Sequence, residues 1–162
     1  MILWRSCNAS LSDIFDGTGG LLFAGRWHSQ GQPITYSSNV PSLTLLERLV
    51  HVQDPDLLPP MAVVAYEAPD DIATDEIALG GLASDWREDI VLTRKLGDGW
   101  IKSARTALLR VPSAIVPLPD IPDRNIVINH QHPESQRIRI SRVHRHFSFD
   151  ARLFRRSGQT TS

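Results

Sequence analysis

The chain has 162 residues, 41% of them hydrophobic and 22% charged, and a formal net charge of −1. These values are ordinary for one globular domain, and the near-zero charge gives the whole chain no general attraction to nucleic acid or to a membrane surface. The single cysteine, Cys7, excludes an internal disulfide, and we expect it to be a buried small hydrophobe in the first strand. Because the sequence lacks a basic leader and a long apolar run, it predicts a cytoplasmic protein.

The first half of the chain is predicted to hold short strands and one helix. Residues 2–6 are expected to form a strand anchored by a buried Trp4, and residues 13–20 a polar, glycine-containing loop. Residues 23–36 are typical of strand, turn and strand, because apolar residues alternate with small or polar ones. A helix should follow from about Pro41, since leucines and a valine repeat at helical spacing; its cap should be one of Ser38, Asn39 and Ser42.

The second half begins with a buried strand at 61–66, a run of apolar residues with two valines. Residues 67–89 carry eight carboxylates and one arginine, so we expect a solvated connection with short helical pieces. A short helix is predicted over 100–108, and extended segments over 109–111 and 114–118. Residues 125–129, 138–141 and 147–149 are predicted strands, Phe147 and Phe149 belong in the core, and residues from 157 should be frayed.

Three side chains within one predicted unit suit a single type of substrate. The guanidinium of Arg26 matches phosphate or diphosphate, and the ring of Tyr36 can stack on a base. Glu47 lies beside the apolar stripe of the helix and can stabilise the positive charge that develops when a glycosidic bond breaks. Diphosphate, aromatic base and N-glycosidic bond occur together in NAD. Taken alone, Glu47 could equally pair with Arg48 or His51.

The order of these motifs resembles the RES domain, a family named for an arginine, a glutamate and a serine. The resemblance runs from Trp4 to Leu153. It is carried by Gly25-Arg26-Trp27-His28, Tyr36, Glu47, Val111-Pro112-Ser113-Ala114 and Asn129-His130-Gln131-His132-Pro133, where His130 stands in place of a proline common in the family. RES proteins are toxins of bacterial toxin–antitoxin pairs, and they are similar to ADP-ribosyltransferases in fold and in their use of NAD.

The resemblance implies a single RES domain over 1–156 with an α+β fold, in which two small, mainly antiparallel sheets and a few flanking helices surround an NAD cleft. It implies that Arg26 holds the diphosphate, Tyr36 stacks on nicotinamide or its ribose, and Glu47 stabilises the ribosyl cation. Ser113 would bind the ribose or orient Glu47. Further NAD-binding candidates are Trp27, Asn129 and His132. NAD is then a substrate, and no metal is required because nicotinamide departs as a neutral molecule.

The resemblance also implies a partner, an antitoxin with a helix-turn-helix part and a separate part that covers the cleft. A toxin homodimer is a further expectation. The acceptor of ADP-ribose stays open at this point, because a protein side chain, phosphate and water are all chemically competent. A protein acceptor would make the toxin a mono-ADP-ribosyltransferase, and the other two an NAD-degrading enzyme.

Two alternatives rest on other residues. The segment 137–156 carries seven arginines and one aspartate, which is compatible with a nucleic-acid-binding regulator, a docking face for an acidic partner, or a charged edge strand. His130 with His132, and His144 with His146, have the spacing of half a metal site on a strand. A third ligand is not evident in the sequence, so structural histidines are favoured.

Overall fold

The computed structural model describes residues 1–52, 54 and 57–154, which form one seven-stranded sheet with three α-helices. The sheet order is β4-β5-β6-β2-β1-β3-β7, and only β4 and β5 run parallel. The predicted α+β class is therefore confirmed. The strands are β1 (Ile2–Asn8), β2 (Ile34–Ser38), β3 (Met61–Glu67), β4 (Thr74–Glu76), β5 (Leu108–Val111), β6 (Asn125–Asn129) and β7 (Arg139–Phe147); the helices are α1 (Thr18–Leu22), α2 (Pro41–Leu49) and α3 (Ile90–Ser103).

The sheet is nearly divided between β1 and β2. These two strands form one residue pair, Trp4 with Ser38, whereas β1 pairs with β3 along its whole length. Beyond that pair, the Ser6 backbone N–H donates to Thr44 Oγ1 of α2 at 3.0 Å, and Ser6 Oγ donates to the Thr44 carbonyl. Helix α2 thus accepts the backbone hydrogen bond of Ser6 that a neighbouring strand would otherwise accept. The structure therefore has one split sheet instead of the two separate sheets that we expected.

Apolar residues cover both faces of the sheet. Successive residues of a strand point to opposite faces, and consecutive residues of β5 and β6 accordingly enter two different clusters. One cluster contains Leu3, Val64, Tyr66, Leu108 and Ile128, and the other contains Trp27, Trp86, Trp100, Leu109 and Val127. Burial on both faces explains why these strands read as continuous apolar runs.

Helix α3 corrects the predicted helix over 100–108. It begins at Ile90, where the Asp89 side chain accepts the Leu92 N–H, and it ends at Ala104, which has a φ of 48°. Gly97 lies inside this helix. Only glycine fits there, because a Cβ would come within 1.8 Å of the Trp27 carbonyl oxygen. Gly97 is thus part of the packing face of the helix, whereas Gly99 is exposed with nothing near it among the described residues. The N-cap, Asp89, lies within the stretch that we expected to be a solvated connection.

Several local predictions for residues 13–42 and 114–118 are also wrong. Thr18–Leu22 is a short helix instead of a loop, and residues 23–28 form a turn with one bridge between Gly25 and His28 instead of a strand. Helix α2 begins where expected, but its N-cap is Val40, which gives no side-chain cap. Residues 114–118 are bends and loop instead of an extended strand.

The edges of the sheet differ from expectation as well. The buried residues of β1 are Leu3 and Cys7, as predicted for Cys7, whereas Trp4 is only partly buried and stacks on His144 of β7. The acidic stretch contributes β4 as an edge strand, and the two predicted C-terminal strands are one strand, β7. Phe147 and Phe149 are partly exposed and pack edge-to-face on each other, outside the core.

The last part of the chain was predicted to be a frayed tail. Residues 157–162, together with Arg155 and Arg156, lie outside the described residues. Within the part of the chain that the structure describes, no helix has both the length and the apolar character needed to cross a membrane.

Candidate active site: a cationic cleft beside helix α2

A cleft of about 790 Å³ opens where the sheet divides. Its walls come from β1, the 23–28 turn, β2, α2 and the loop after β5. This volume lies within the range of small-molecule and cofactor sites in proteins. Arg26, Trp27, Tyr36 and Glu47, four of the residues predicted from the sequence, line it together.

Glu47 is held through one of its two carboxylate oxygens. Oε1 accepts hydrogen bonds from Ser113 Oγ at 2.8 Å and from Asn125 Nδ2 at 2.5 Å. Among the described residues, Oε2 has no hydrogen-bond partner and no cation within salt-bridge distance. The pairing with Arg48 or His51 that the sequence left open is therefore not formed. The carboxylate lines the cleft with one oxygen fixed and the other available to a ligand.

Ser113 has a defined direction of donation. Its Oγ accepts the backbone N–H groups of Ile115 and Val116, at 3.0 and 3.1 Å. Because these two bonds occupy the lone pairs of the hydroxyl, its single proton points to Glu47. Ser113 is 2% exposed and acts on the cleft only through that carboxylate. The loop after β5 is thus folded around this hydroxyl, which a serine after a proline does not reveal in the sequence.

Arg26 is positioned by uncharged groups. Its Nη1 donates to the Arg87 carbonyl at 2.8 Å, and the guanidinium lies over the Trp86 ring, 5.7 Å from the centroid. Trp86 in turn packs on the buried Trp27. An arginine held by a carbonyl and an aromatic face keeps its full charge and most of its donors for an anion.

Three further arginines line the cleft, and none of the four pairs with a carboxylate in the described part of the chain. Arg5 donates to the Ile14 carbonyl, and Arg94 donates to the Gly25 carbonyl. The buried Nε of Arg48 has no partner among the residues that the structure describes. Of the described residues that line the cleft, Glu47 is the only one with an acidic side chain. Four cations and one anion give a site that attracts a negatively charged ligand.

Tyr36 presents its ring to the cleft while its hydroxyl is fully engaged. The Trp27 N–H donates to the hydroxyl at 2.9 Å, and the hydroxyl lies 2.9 Å from His28 Nδ1. His28 Nε2 lies 3.0 Å from the Phe23 carbonyl, which can only accept, so Nε2 carries the proton and Nδ1 accepts from Tyr36. Burial lowers the pKa of His28 and raises the pKa of Tyr36, which keeps both groups neutral.

The glycine before Arg26 permits this arrangement. A Cβ on Gly25 would lie 2.5 Å from the Tyr36 hydroxyl and 2.9 Å from His28 Nδ1. The Gly-Arg-Trp-His sequence therefore works as one unit. The glycine makes room for the tyrosine, the tryptophan anchors the turn, the histidine accepts from the tyrosine, and the arginine lines the cleft.

Two predicted NAD-binding residues are placed elsewhere. Asn129 lies at the far end of β6 and is 1% exposed, and its Oδ1 accepts the Gln131 N–H. His132 caps the 3-10 helix Pro133–Arg137, where its Nδ1 accepts the Glu134 N–H. Neither belongs to the residues that line the cleft. Nearby, His130 Nε2 is 2.8 Å from Thr35 Oγ1, beside Phe15. In the described residues no group of three His, Cys, Asp or Glu side chains could hold a metal ion.

Sequence reasoning missed Asn125, His28 and Arg94. Asn125 opens β6 and reads as an ordinary strand residue, and Arg94 lies on a helix whose beginning was predicted too late. His28 was quoted only as part of a motif. The one available signal was the Gly-Arg-Trp-His run itself, where a glycine next to large side chains indicates a close approach.

Comparison with known proteins identifies the family of this chain. The RES domain family model matches residues 2–150, and the chain belongs to that family. It is 39% identical over 157 residues to a protein named Toxin Res from Pseudomonas putida, with 95% of this chain and all of the relative covered. It is 33% identical over 150 residues to the Prs ADP-ribosylating toxin of Sphingobium, with 90% of each chain covered.

Among solved structures, the fold is similar to a chain in the crystal structure of the M. tuberculosis MbcT–MbcA toxin–antitoxin complex. The TM-score is 0.71 at 16% identity, covering 89% of this chain and 82% of that chain. At this identity the likeness concerns the fold.

Proposed function

We propose that this protein is the toxin of a bacterial toxin–antitoxin pair and that it consumes NAD by breaking the bond between nicotinamide and ribose. The observation that carries the proposal is Glu47, held by Ser113 and Asn125 through one oxygen in a cleft that four arginines also line. A lone carboxylate among cations suits a substrate that is anionic at its phosphates and becomes cationic at one carbon. The family membership and the ADP-ribosylating relative support the same chemistry.

The proposed reaction begins with loss of nicotinamide. The C1–N bond of the ribose breaks, its electron pair goes to the pyridinium nitrogen, and nicotinamide leaves neutral. The cation that remains at C1 is stabilised by Oε2 of Glu47, the oxygen that has no hydrogen-bond partner among the described residues. Because Ser113 and Asn125 already hold Oε1, this charge is in place before the bond breaks, and no reorganisation is required.

Arg26 is assigned to the diphosphate. Its position over Trp86 leaves the edge of the guanidinium for oxyanions, and Arg94 contributes a second charge on the same side of the 23–28 turn. Tyr36 is assigned to stacking on nicotinamide or its ribose. Its hydroxyl already donates to His28 and accepts from Trp27, so the ring is what it offers to substrate.

The acceptor of ADP-ribose completes the proposal. We assign a protein side chain as acceptor, because the cleft is open at the protein surface and Glu47 can take a proton from an incoming hydroxyl or amine as it attacks C1. Water or phosphate at the same carbon would give ADP-ribose or its phosphate. The name of the Sphingobium relative supports the protein route.

The test uses purified protein and NAD labelled in the adenylate part, with phosphate, without phosphate, and with a bacterial lysate. We expect nicotinamide release in all three mixtures and label on a lysate protein in the third. Label recovered only in small molecules would move the assignment to NAD degradation. Intact NAD in all three mixtures, from protein shown to be folded by circular dichroism, would refute the enzymatic proposal.

The proposed partner is an antitoxin with a helix-turn-helix part, whose toxin-binding part covers the cleft and blocks NAD entry. The complex that contains the structural neighbour supports a partner of this kind. Growth of bacteria that express the chain alone should stop, and co-expression of the antitoxin should restore it. We further propose a toxin homodimer within the complex; light scattering that gives the mass of a single toxin chain would refute the dimer.

A further inference from the structure

Among the described residues, Ser113 and Asn125 donate hydrogen bonds to Glu47. Of these two, Asn125 is the one that no sequence motif indicated. Its Nδ2 lies 2.5 Å from Glu47 Oε1, the shorter of the two bonds to that oxygen. An amide oxygen at this distance from a carboxylate would be repelled, so the NH₂ group faces Glu47. Asn125 also lines the cleft, whereas Ser113 is buried behind the carboxylate.

The backbone fixes Asn125 from both sides. It pairs with Ser38 of β2 and with Val111 of β5, so it lies at the first position of a central strand with neighbours on both edges. Glu47, by contrast, lies on α2, a nine-residue helix. The hydrogen bond therefore ties a side chain of a short helix to a rigid sheet position across the opening of the cleft. Side chains on such rigid supports hold a reacting group more accurately than a loop does.

The two donors to Oε1 differ in what they can supply. The Ser113 hydroxyl is itself held by two N–H groups of its loop, and it sets the distance of Glu47 from the loop after β5. The Asn125 amide donates from the sheet and sets the rotation of the carboxylate about its own bond. With both bonds made, Oε1 is occupied, and Oε2 has no hydrogen-bond partner among the described residues.

We propose that Asn125 is a positioning residue for Glu47, which acts by fixing the orientation of the carboxylate so that its oxygen without a hydrogen bond faces the ribosyl carbon. This inference rests on the proposed function. Asn125 does not itself exchange a proton or form a bond with substrate. Its effect is on the rate of the step at C1, with little effect on the binding of NAD through the arginines.

The variant Asn125→Ala removes the amide, and the variant Asn125→Asp replaces it with a second carboxylate of nearly equal size. For Asn125→Ala we expect kcat to fall about tenfold to hundredfold, the usual range for a lost hydrogen bond to a charged group, with KM for NAD changed by less than about twofold. For Asn125→Asp, two carboxylates in hydrogen-bond contact share one proton. The acid limb of the rate–pH profile should therefore move to higher pH, and activity should recover as the pH rises.

Asn39→Ala is the matched control. Asn39 clips the same end of β6, since its Nδ2 donates to the Pro122 carbonyl and its Oδ1 accepts the Arg124 N–H, but it does not touch Glu47. This variant should lower the melting temperature and leave kcat and the rate–pH profile unchanged. An equal fall in kcat for Asn39→Ala and Asn125→Ala would show that Asn125 only supports the fold, and would overturn the proposal.

A direct measurement separates this inference from the proposed function. The ¹³C resonance of the Glu47 carboxyl carbon, assigned by its loss in Glu47→Gln, is titrated with and without Asn125→Asp. Its midpoint should move to higher pH in the variant, whether or not the protein turns over NAD; an unmoved midpoint overturns the positioning contact. Unmodified protein that leaves NAD intact refutes the proposed function alone. Turnover by the unmodified protein with unchanged kcat in both Asn125 variants refutes the positioning role alone.

Discussion

Two groups of arginines in this molecule have opposite surroundings. In the cleft, Arg5, Arg26 and Arg94 donate to backbone carbonyls, and in the described residues no carboxylate pairs with them. Around β7, the arginines at 137, 145 and 152 each pair with an aspartate at 2.6–2.8 Å. Residues of one type are thus left charged for a ligand in one place and neutralised within the protein in the other.

The difference shows that the net charge of a sequence segment does not give the net charge of the surface on which that segment lies. The 137–156 segment is basic in sequence because the aspartates that neutralise Arg137 and Arg145 come from residues 71 and 13. The cleft arginines come from β1, the 23–28 turn, α2 and α3, and they form no run in the sequence. Only Arg139 and Arg142 of β7 remain on its exposed edge without a carboxylate partner in the described residues. This favours a small anion in the cleft over nucleic acid on β7.

The sharpest way to break the comparison is to remove one arginine from the cleft and, from the exposed edge of β7, one arginine that is unpaired in the described part of the chain. Arg26→Ala should lower the rate of nicotinamide release by about hundredfold or more, because an electrostatic group at the reacting site is lost. Glu47→Gln should do at least as much. Arg142→Ala, the control on β7, should stay within about twofold of the unmodified protein. Equal losses for Arg26→Ala and Arg142→Ala would show that overall charge, and not the cleft, governs the rate.

The second prediction concerns a partly buried titratable group, His130, whose ring contacts the cleft residue Thr35. Burial lowers the pKa of His130 to about 4, against an ordinary value of 6.5, so the folded protein holds this ring neutral. Because the unfolded chain takes up the proton first, stability is fully present above about pH 6.5 and is lost as the pH falls toward 4. The ring is partly exposed, so we expect a loss on the order of 2 kcal/mol.

Urea unfolding at pH 7.5 and pH 5, with and without His130→Gln, measures this effect. The variant should show a flatter dependence of unfolding free energy on pH. Burial also lowers the pKa of His28, so part of the slope should remain in the variant with the same sign. A slope that His130→Gln leaves unaltered would contradict the assignment.

A smaller effect is expected from the Tyr36 hydroxyl. Tyr36→Phe leaves the Trp27 N–H and His28 Nδ1 without partners in a buried place, which costs about 1–3 kcal/mol of unfolding free energy. Because the ring remains for stacking, kcat should change by only a few-fold, whereas Tyr36→Ala should lose most of the activity. If Tyr36→Phe were as inactive as Tyr36→Ala at a temperature where both are folded, the hydroxyl would have a chemical role.

The smallest effect belongs to the neutralised group. The side chain of Asp13 is 69% exposed and touches the 46% exposed Arg145, so Asp13→Ala should cost no more than about 1 kcal/mol. Nicotinamide release should be unchanged. Thermal melts at low and high salt check this, since added salt should narrow the difference between variant and unmodified protein. A large fall in nicotinamide release would show that β7 contributes to the activity, which would contradict the comparison between the two groups of arginines.

Much of the fold could be predicted because each signal was local. The apolar runs of β3, β5 and β6 need only burial on both faces, and Pro41 with the spaced leucines is enough to place α2. The failures were local signals with a nonlocal cause. Gly97 lies before the predicted helix over 100–108, but it is a packing residue inside α3, because its partner is the Trp27 backbone 70 positions earlier. Trp4 is predicted to be in the core, but its ring packs against His144 of the edge strand β7 and stays partly exposed.

The sequence by itself determined which side chains have suitable chemistry: an arginine for phosphate, a tyrosine for a base, a carboxylate for a developing cation, and a serine near a break in the chain. Only the tertiary structure decided which of their atoms are free. Within the described residues it left Oε2 of Glu47 without a partner, occupied the hydroxyl of Tyr36, and placed Asn129 and His132 outside the cleft. The physical reason is that a hydrogen bond depends on distances between segments far apart in the chain, whereas a residue's chemistry is carried by the residue alone.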